Sequence, residues 1–338
     1  MFFPKLEFPI TEQPSWSIND SSKLTDSERC LRYYFFRHLL GWRPDRPAQD
    51  LHFGSSWHKA REYQLCYGYE DIQGAYNAFI EEYRKEFDPS TDEYYSPKTP
   101  TGVLNALTKF AEERSLDLIE NEVVVLDGMK MLEISGKVSI GHDRSLCYRL
   151  DSIMRRVADG MIFSWDHKTT SEKYVNGRAW SDQFFLSLQN GTYTHCLYCL
   201  FPIADVLGVE FCGTGFAFLK RGSSQRSAGY HATLKRVPAY KTPDQMNVWL
   251  WTVHNLIDDI EREFERLSKC TPNDPVMTAF PMRSKGCTDF RGCPYLDYCI
   301  AWPNPLRQCN EPPLGFVQEF WNPLEMESTV KKDLDFSM

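Results

Sequence analysis

Two β-prone runs joined by Asp159-Gly160 constrain this chain more than any other stretch. Asp-Gly between such runs is a strong short-range signal for a hairpin with a two-residue turn. Arg149–Val157 and Met161–Lys168 then form the arms, Asp151 lies opposite Lys168, and Ile153 lies opposite Asp166. Side chains alternate faces along a strand, so Asp151, Asp166 and Lys168 project from one face. Two carboxylates and an ammonium at the open end of a hairpin either make a surface ion pair or hold a divalent cation beside a lysine.

The 338 residues suffice for one large domain or two of ordinary size. No apolar run approaches the length of a membrane span, and the first residues lack the regions of a signal peptide. A cytoplasmic protein is expected. Eleven cysteines in that compartment favour metal or cluster binding over a disulfide framework. A net charge of −8 argues against a surface coated for nucleic acid but leaves room for a local basic groove. The aromatic content of 14% permits base stacking and serves equally as core material.

Along the chain, residues 1–24 read as an irregular lead-in. Thr25 or Asp26 is expected to cap a helix that runs from Ser27 to Leu40 and ends at Gly41. Arg29, Arg32 and Arg37 on it, with Arg43 and Arg46 beyond, suit either a single strand of nucleic acid or a solvated face. Around His58 a small-residue turn opens a second helix, with Ser55 or Ser56 as cap and Glu62 on the face of His58. Helices over 71–87 and 102–120 flank a loop, Asp88–Pro100. Strands Glu122–Leu126 and Met131–Ile140 lead into the hairpin. A helix from Trp180 to Leu200 places Gln189 and Tyr193 on one face. Strands Val209–Lys220 and Tyr230–Val237 follow. A helix from Pro243 to Lys269 then shows apolar residues every three or four positions, and the stretch after Pro323 reads as a charged, mobile tail. The order predicts an α/β or α+β sheet flanked by helices.

A cation held by Asp151 and Asp166 would be Mg²⁺ or Mn²⁺, because carboxylate oxygens suit hard ions. Such an ion eases deprotonation of a bound water and offsets charge on a phosphate oxygen. Lys168 beside it could position that water or stabilise the transition state. Phosphodiester hydrolysis needs these parts and no organic cofactor.

Asp151, followed by Asp166-His167-Lys168-Thr169-Thr170, resembles the PD-(D/E)XK nuclease motif. Phe53-Gly54-Ser55-Ser56-Trp57-His58 upstream and Gln189-x-x-x-Tyr193 downstream are similar to motifs of its RecB-like branch. The resemblance implies a restriction-endonuclease-like mixed central sheet. It implies His58, Asp151, Asp166 and the carbonyl of His167 as metal ligands, and Lys168 as the catalytic lysine. Gln189 and Tyr193 would lie near the DNA path or orient that lysine. The second acidic residue is Asp where Glu is commoner, and its shorter reach could shift the metal.

Cys287, Cys293 and Cys299 recur at five-residue separations, a set that could ligate iron–sulfur or zinc with a fourth ligand from elsewhere. RecB-like nucleases with a 4Fe–4S cluster, including CRISPR-associated ones, resemble this arrangement, with Cys30-Leu31-Arg32-Tyr33-Tyr34 supplying the early cysteine. The wide gap between Cys287 and Cys293 leaves Cys309 as a substitute for Cys287. By this resemblance residues 25–300 form one nuclease domain, 25–50 and 280–300 its iron–sulfur clasp, and 301–338 a C-terminal tail. Cys196-x-x-Cys199 falls within a predicted helix and reads as core.

The activity so implied is a DNA exonuclease on single-stranded ends, with flap endonuclease activity as a related possibility, serving DNA processing, repair or recombination. No Gly-rich phosphate loop with Lys-Ser/Thr occurs, so any helicase would be a separate partner. A phage-encoded enzyme in the host cytoplasm fits a chain of this size. The competing reading from another class is a nucleic-acid-binding or assembly protein that retains the fold.

Overall fold

The structure is a computed structural model that describes residues 6, 10–221, 226–288 and 292–335. β1 (Asn19–Asp20) precedes α1 (Ser21–Arg29), α2 (Leu31–Tyr34) and a π-helical turn, Phe35–Leu39. β2 (Trp42–Pro44) leads to α3 (Gln49–Tyr67), α4 (Ile72–Tyr83), α5 (Pro100–Glu113) and α6 (Asp117–Glu120). Then come β3 (Asn121–Val123), β4 (Val125–Leu126), β5 (Met129–Lys130), β6 (Leu132–Gly141), β7 (Arg144–Arg156) and β8 (Ile162–Ser171). Three helices, α7 (Glu172–Val175), α8 (Arg178–Asp182) and α9 (Leu188–Leu200), cross over to β9 (Val206–Leu219) and β10 (Gly229–Tyr240). α10 (Pro243–Leu267), α11 (Leu296–Ala301), β11 (Phe316–Gln318) and β12 (Val330–Lys331) complete the order.

The main sheet runs β10-β9-β8-β7-β6-β12, with β1 and β3 also paired to β7. It is mixed: β8 and β9 are parallel, as a helical crossover requires, while β6/β7, β7/β8 and β9/β10 are antiparallel. Helices cover both faces, which is the α/β layering expected from the sequence. One core gathers Phe35, Leu150, Leu197, Trp249, Ile257 and Phe264, and the other gathers Phe53, Trp57, Phe79, Leu107, Met154 and Trp165. α10 shows how the sequence builds this. Thr242 and Gln245 form a capping box at its start, and Met246, Val253, Ile257, Ile260 and Phe264 form its buried stripe. Each fully buried side chain of that size stabilises by about 1.5–3 kcal/mol.

Several expected boundaries move for identifiable reasons. The first helix begins at Ser21, because the Asp20 carboxylate accepts a bond from Lys23 N (2.7 Å) and so is the cap, in place of Thr25 or Asp26. It breaks at Cys30, whose extended backbone (φ −165°) separates α1 from α2. The lead-in is docked: Trp16 is buried, and Lys23 Nζ donates to the carbonyls of Ser15 and Ile18. Around His58 the helix starts about two turns early, at Gln49, and Ser56 lies buried within it, donating to His52 O rather than capping. The helix expected over 180–200 is split, with Ser187 capping α9.

The arginines near the N-terminus form neither a nucleic-acid track nor a solvated face. Arg32 is buried and donates to the carbonyls of Phe280 and Met277, Arg29 donates to Gly286 O, and Arg43 pairs with Glu319 at 2.6 Å. They bind the N-terminal segment to the C-terminal one. Nor is the C-terminal stretch a mobile tail: β11 pairs with β2, β12 pairs with β6, and Leu334 is buried beside Val138.

Candidate functional site

The hairpin forms in a register two residues away from the expected one. Ser152 pairs with Trp165 and Arg155 with Ile162. The turn spans Val157–Gly160, closed by Arg156 N to Met161 O (2.9 Å) and Gly160 N to Arg156 O (2.8 Å). Arg156 grips the Asp159 carboxylate, which holds this wider loop in place of a two-residue turn. Asp151 therefore stands level with Asp166 instead of Lys168. A slip of one residue would flip every side chain, but a slip of two keeps each on its face, so the expected grouping survives.

The β7/β8 ladder stops at Ser152 and Trp165. Beyond it β8 runs on beside β9, and the same edge of β7 is taken up again only by β1, at Leu146 and Cys147. The strands splay between these points. Asp151 Oδ2 spans the gap by accepting a bond from His167 N at 2.7 Å, replacing a lost ladder bond.

A third carboxylate joins the row. Glu133 on β6 lies between the pairs Leu132/Ser152 and Ile134/Leu150, and so level with Asp151. Its φ is +43°, a conformation that costs a non-glycine residue about 1–3 kcal/mol. The strand's alternation is interrupted there. Leu132 enters the core under α3–α5 while Ile134, of the same parity, enters the opposite core. Glu133 and Asp151 thus stand at the seam between the two faces. Like charges directly opposite one another on neighbouring strands repel, so this row needs cations.

The cations present are side chains. His58 Nδ1 lies 3.2 Å from Asp151 Oδ1 and 3.6 Å from Glu133 Oε1 without a well-aligned hydrogen bond to either. Donor atoms of His58, Glu133 and Asp151 all fall within 4.8 Å of one another, a set that takes in Glu133 and leaves out the expected Asp166. Lys168 Nζ pairs with Asp166 at 2.8 Å. Arg149, on β7 two residues before Asp151, approaches Glu133 at 3.8 Å with a quarter of its side chain exposed.

Burial alone would raise the Asp151 carboxyl, but His58, His167 and Lys168 outweigh it and hold the group below the usual carboxylate range. Burial opposes charge on His58 too, yet Asp151 and Glu133 push it up to about 10. Asp166 is pushed up to about 6, first by burial and then by Asp151, with Lys168 opposing. Three carboxylates thus converge on His58, Lys168 and Arg149 in a buried pocket. One imidazole nitrogen and several carboxylate oxygens suit a divalent ion such as Mg²⁺ or Mn²⁺, which would take the place of the His58 proton.

Gln189 and Tyr193 also meet: Gln189 Nε2 donates to Tyr193 Oη at 2.9 Å. Burial first, then the charges of Asp166 and Asp151, push the buried Tyr193 hydroxyl well above its ordinary range. The His167 ring is buried, 6.4 Å from that of His58, and neither ring nitrogen finds a hydrogen-bond partner among the described residues. Neither Glu133 nor Arg149 was expected at the site. A single acid inside the apolar run Met131-Leu132-Glu133-Ile134 was the signal for the first. Arg149 shares the strand of Asp151, and only the fold brings it to Glu133.

The cysteines form a second centre. Cys30, Cys287, Cys293 and Cys299 line one pocket with Arg29, Tyr33, Met282, Gly286 and Tyr295. Cys309 is buried elsewhere, its Sγ near Leu306 O, and does not line it. Arg283 N donates to Cys30 Sγ at 3.3 Å, and Cys293 N to Cys287 O at 2.9 Å. The intervening Asp289-Phe290-Arg291 lies outside the described residues. Burial raises the Cys293 thiol and pushes Cys299 up to about 11. Cys196 is buried in α9 as expected of a core residue.

Residues 21–300 match the family model described as the PD-(D/E)XK nuclease superfamily. No curated protein matches the chain. No helix among the described residues is long and apolar enough to cross a membrane.

Proposed function

Because the chain belongs to the PD-(D/E)XK nuclease superfamily, we propose that it is a Mg²⁺- or Mn²⁺-dependent deoxyribonuclease of the RecB-like branch. It degrades single-stranded DNA from an end, with flap cleavage as a related activity. The observation that carries this reading is the row Glu133, Asp151 and Asp166, flanked by His58 and Lys168.

His58, Asp151 and Asp166, with the backbone carbonyl of His167, would hold the ion, and Glu133 adds an oxygen that the sequence motifs do not supply. When bound, the ion lowers the pKa of a water and offsets charge on the scissile phosphate. Lys168, held against Asp166, would orient the attacking water or meet the developing charge. Gln189, bonded to the Tyr193 hydroxyl, would with it lie near the DNA path or help to orient Lys168.

The thiol pocket is read as a 4Fe–4S site with Cys30, Cys287, Cys293 and Cys299 as ligands, and zinc as the competing metal. Support comes from the all-thiol donor set in one pocket. The two metals are told apart by the colour and metal content of protein purified without air. A helicase or recombination partner would supply any unwinding of a duplex substrate.

End-dependence is the testable part. With Mn²⁺, labelled linear single strands should shorten to small products while circular single strands of the same sequence stay intact. Cut circles would replace the exonuclease assignment with an endonuclease one.

A further inference from the structure

The segment that follows Lys168 carries a surface that the metal site does not use. In the β8/β9 ladder Gly213 is the partner of Lys168, so both face the same side of the sheet. Where a side chain at Gly213 would stand, the Trp180 indole sits instead: a Cβ there would come within 2.2 Å of its ring. Val175 covers Gly215, the partner of Thr170, in the same way. The missing side chains at 213 and 215 let α7 and α8 lie directly on β9, with the indole next to the lysine.

From Lys168 a run of aromatic rings leads outward. Lys168 Nζ lies 6.0 Å from the Phe211 ring centre, Phe211 stacks on Phe184 at 4.1 Å, and Phe184 meets Trp180 edge-on at 4.8 Å. Beyond this run the rings come to the surface. Tyr174 is 64% exposed, Phe185 43% and Leu186 90%. Exposed apolar groups clustered in one short segment mark an interaction site. The local charge is basic although the chain carries −8. Lys173 is exposed, Lys235 Nζ lies 5.8 Å from the Trp180 ring, and Lys241 Nζ donates to Phe185 O. The acids of the segment are engaged, Glu172 by Arg226 and Asp182 by Arg178.

The geometry points to this segment, residues 173–186, as a stacking platform for a single strand of nucleic acid, taking the bases next to the phosphodiester held at Lys168. Exposed π-faces and apolar tips bind unpaired bases, and the lysines follow the phosphates. A duplex, whose bases are already stacked, gains little from such a surface. The inference rests on the nuclease reading for its starting point but makes its own claim about strand binding.

The test uses the full chain with Ca²⁺, so that a labelled oligothymidylate is bound without being cut. Phe185→Ala combined with Leu186→Ser removes exposed groups and should weaken single-strand affinity about tenfold, because stacking contributes roughly 1–3 kcal/mol per base. Tyr174→Ala should weaken it several-fold. Gly213→Ala, which displaces Trp180, should do the same with a smaller change in affinity for a duplex of equal length. Wild-type affinity in the double variant and in Tyr174→Ala overturns the platform, as does an equal loss for duplex. Hydrolysis of the nitrophenyl ester of thymidine 5′-phosphate, too short to reach the platform, is measured alongside. It should be unchanged in the double variant. Absence of that hydrolysis in the wild type counts against the nuclease reading alone, since the strand-affinity comparison stands without it.

Discussion

The carboxylate row and the thiol pocket are both candidate metal centres, and they are built in opposite ways. The row belongs to the sheet: β6, β7 and β8 set Glu133, Asp151 and Asp166 level through their registers, and one strained residue turns the third carboxylate inward. The thiol pocket belongs to no single element. It joins the break between α1 and α2 to a segment more than 250 residues later, through Cys30, Arg283 and the later cysteines. Ladder bonds and two packed cores support the row whether or not a cation is present. The pocket closes a very long loop, whose entropy must be offset by ligation and by side chains such as Arg32. The first centre should therefore lose function without losing the fold, and the second should lose stability first.

That contrast can be broken at either end. Asp151 touches His58, the His167 amide and the carboxylate row together, so Asp151→Asn should have the largest effect. Mn²⁺ affinity measured by calorimetry should fall more than about a hundredfold while the melting temperature stays near wild type. A large loss of melting temperature with intact Mn²⁺ affinity would reverse the assignment of the two regions. Glu133→Gln, tested in the same series, should weaken Mn²⁺ by only about tenfold, since His58 and the two aspartates remain.

At the other centre, Cys299→Ser should cost roughly 2–3 kcal/mol, read as a drop of about 3–4 °C in melting temperature. It should also remove the brown colour of protein purified without air. Mn²⁺ affinity at the row should barely move. Colourless wild-type protein carrying stoichiometric zinc would keep the pocket as a metal site and discard the cluster.

Much of the row was legible because Asp151, Asp166 and Lys168 lie on one hairpin, where period-2 alternation settles which side chains share a face. The turn was misread, since Arg156 holding Asp159 stabilises a longer loop than Asp-Gly alone suggests. Even so, a two-residue slip left the faces intact. Glu133 could not be placed, because its role depends on a positive φ that alternation does not anticipate. The spacing of the later cysteines and the resemblance anticipated that they meet Cys30 in one pocket, while Cys309, the substitute, lies outside it. The N-terminal arginines and the C-terminal strands were misread for one reason: their partners lie far away in sequence, and short-range patterns carry no information about them.

The central claim is that Asp166 and Lys168 belong to a hydrolytic metal site. The direct measurement is hydrolysis of end-labelled single-stranded DNA with Mn²⁺ by wild type, Asp166→Ala and Lys168→Ala proteins of equal fold, judged by circular dichroism. Wild type should degrade the strand, and both variants should fall at least about a thousandfold, to the level of wild type with chelator. Equal rates in all three proteins would contradict the claim.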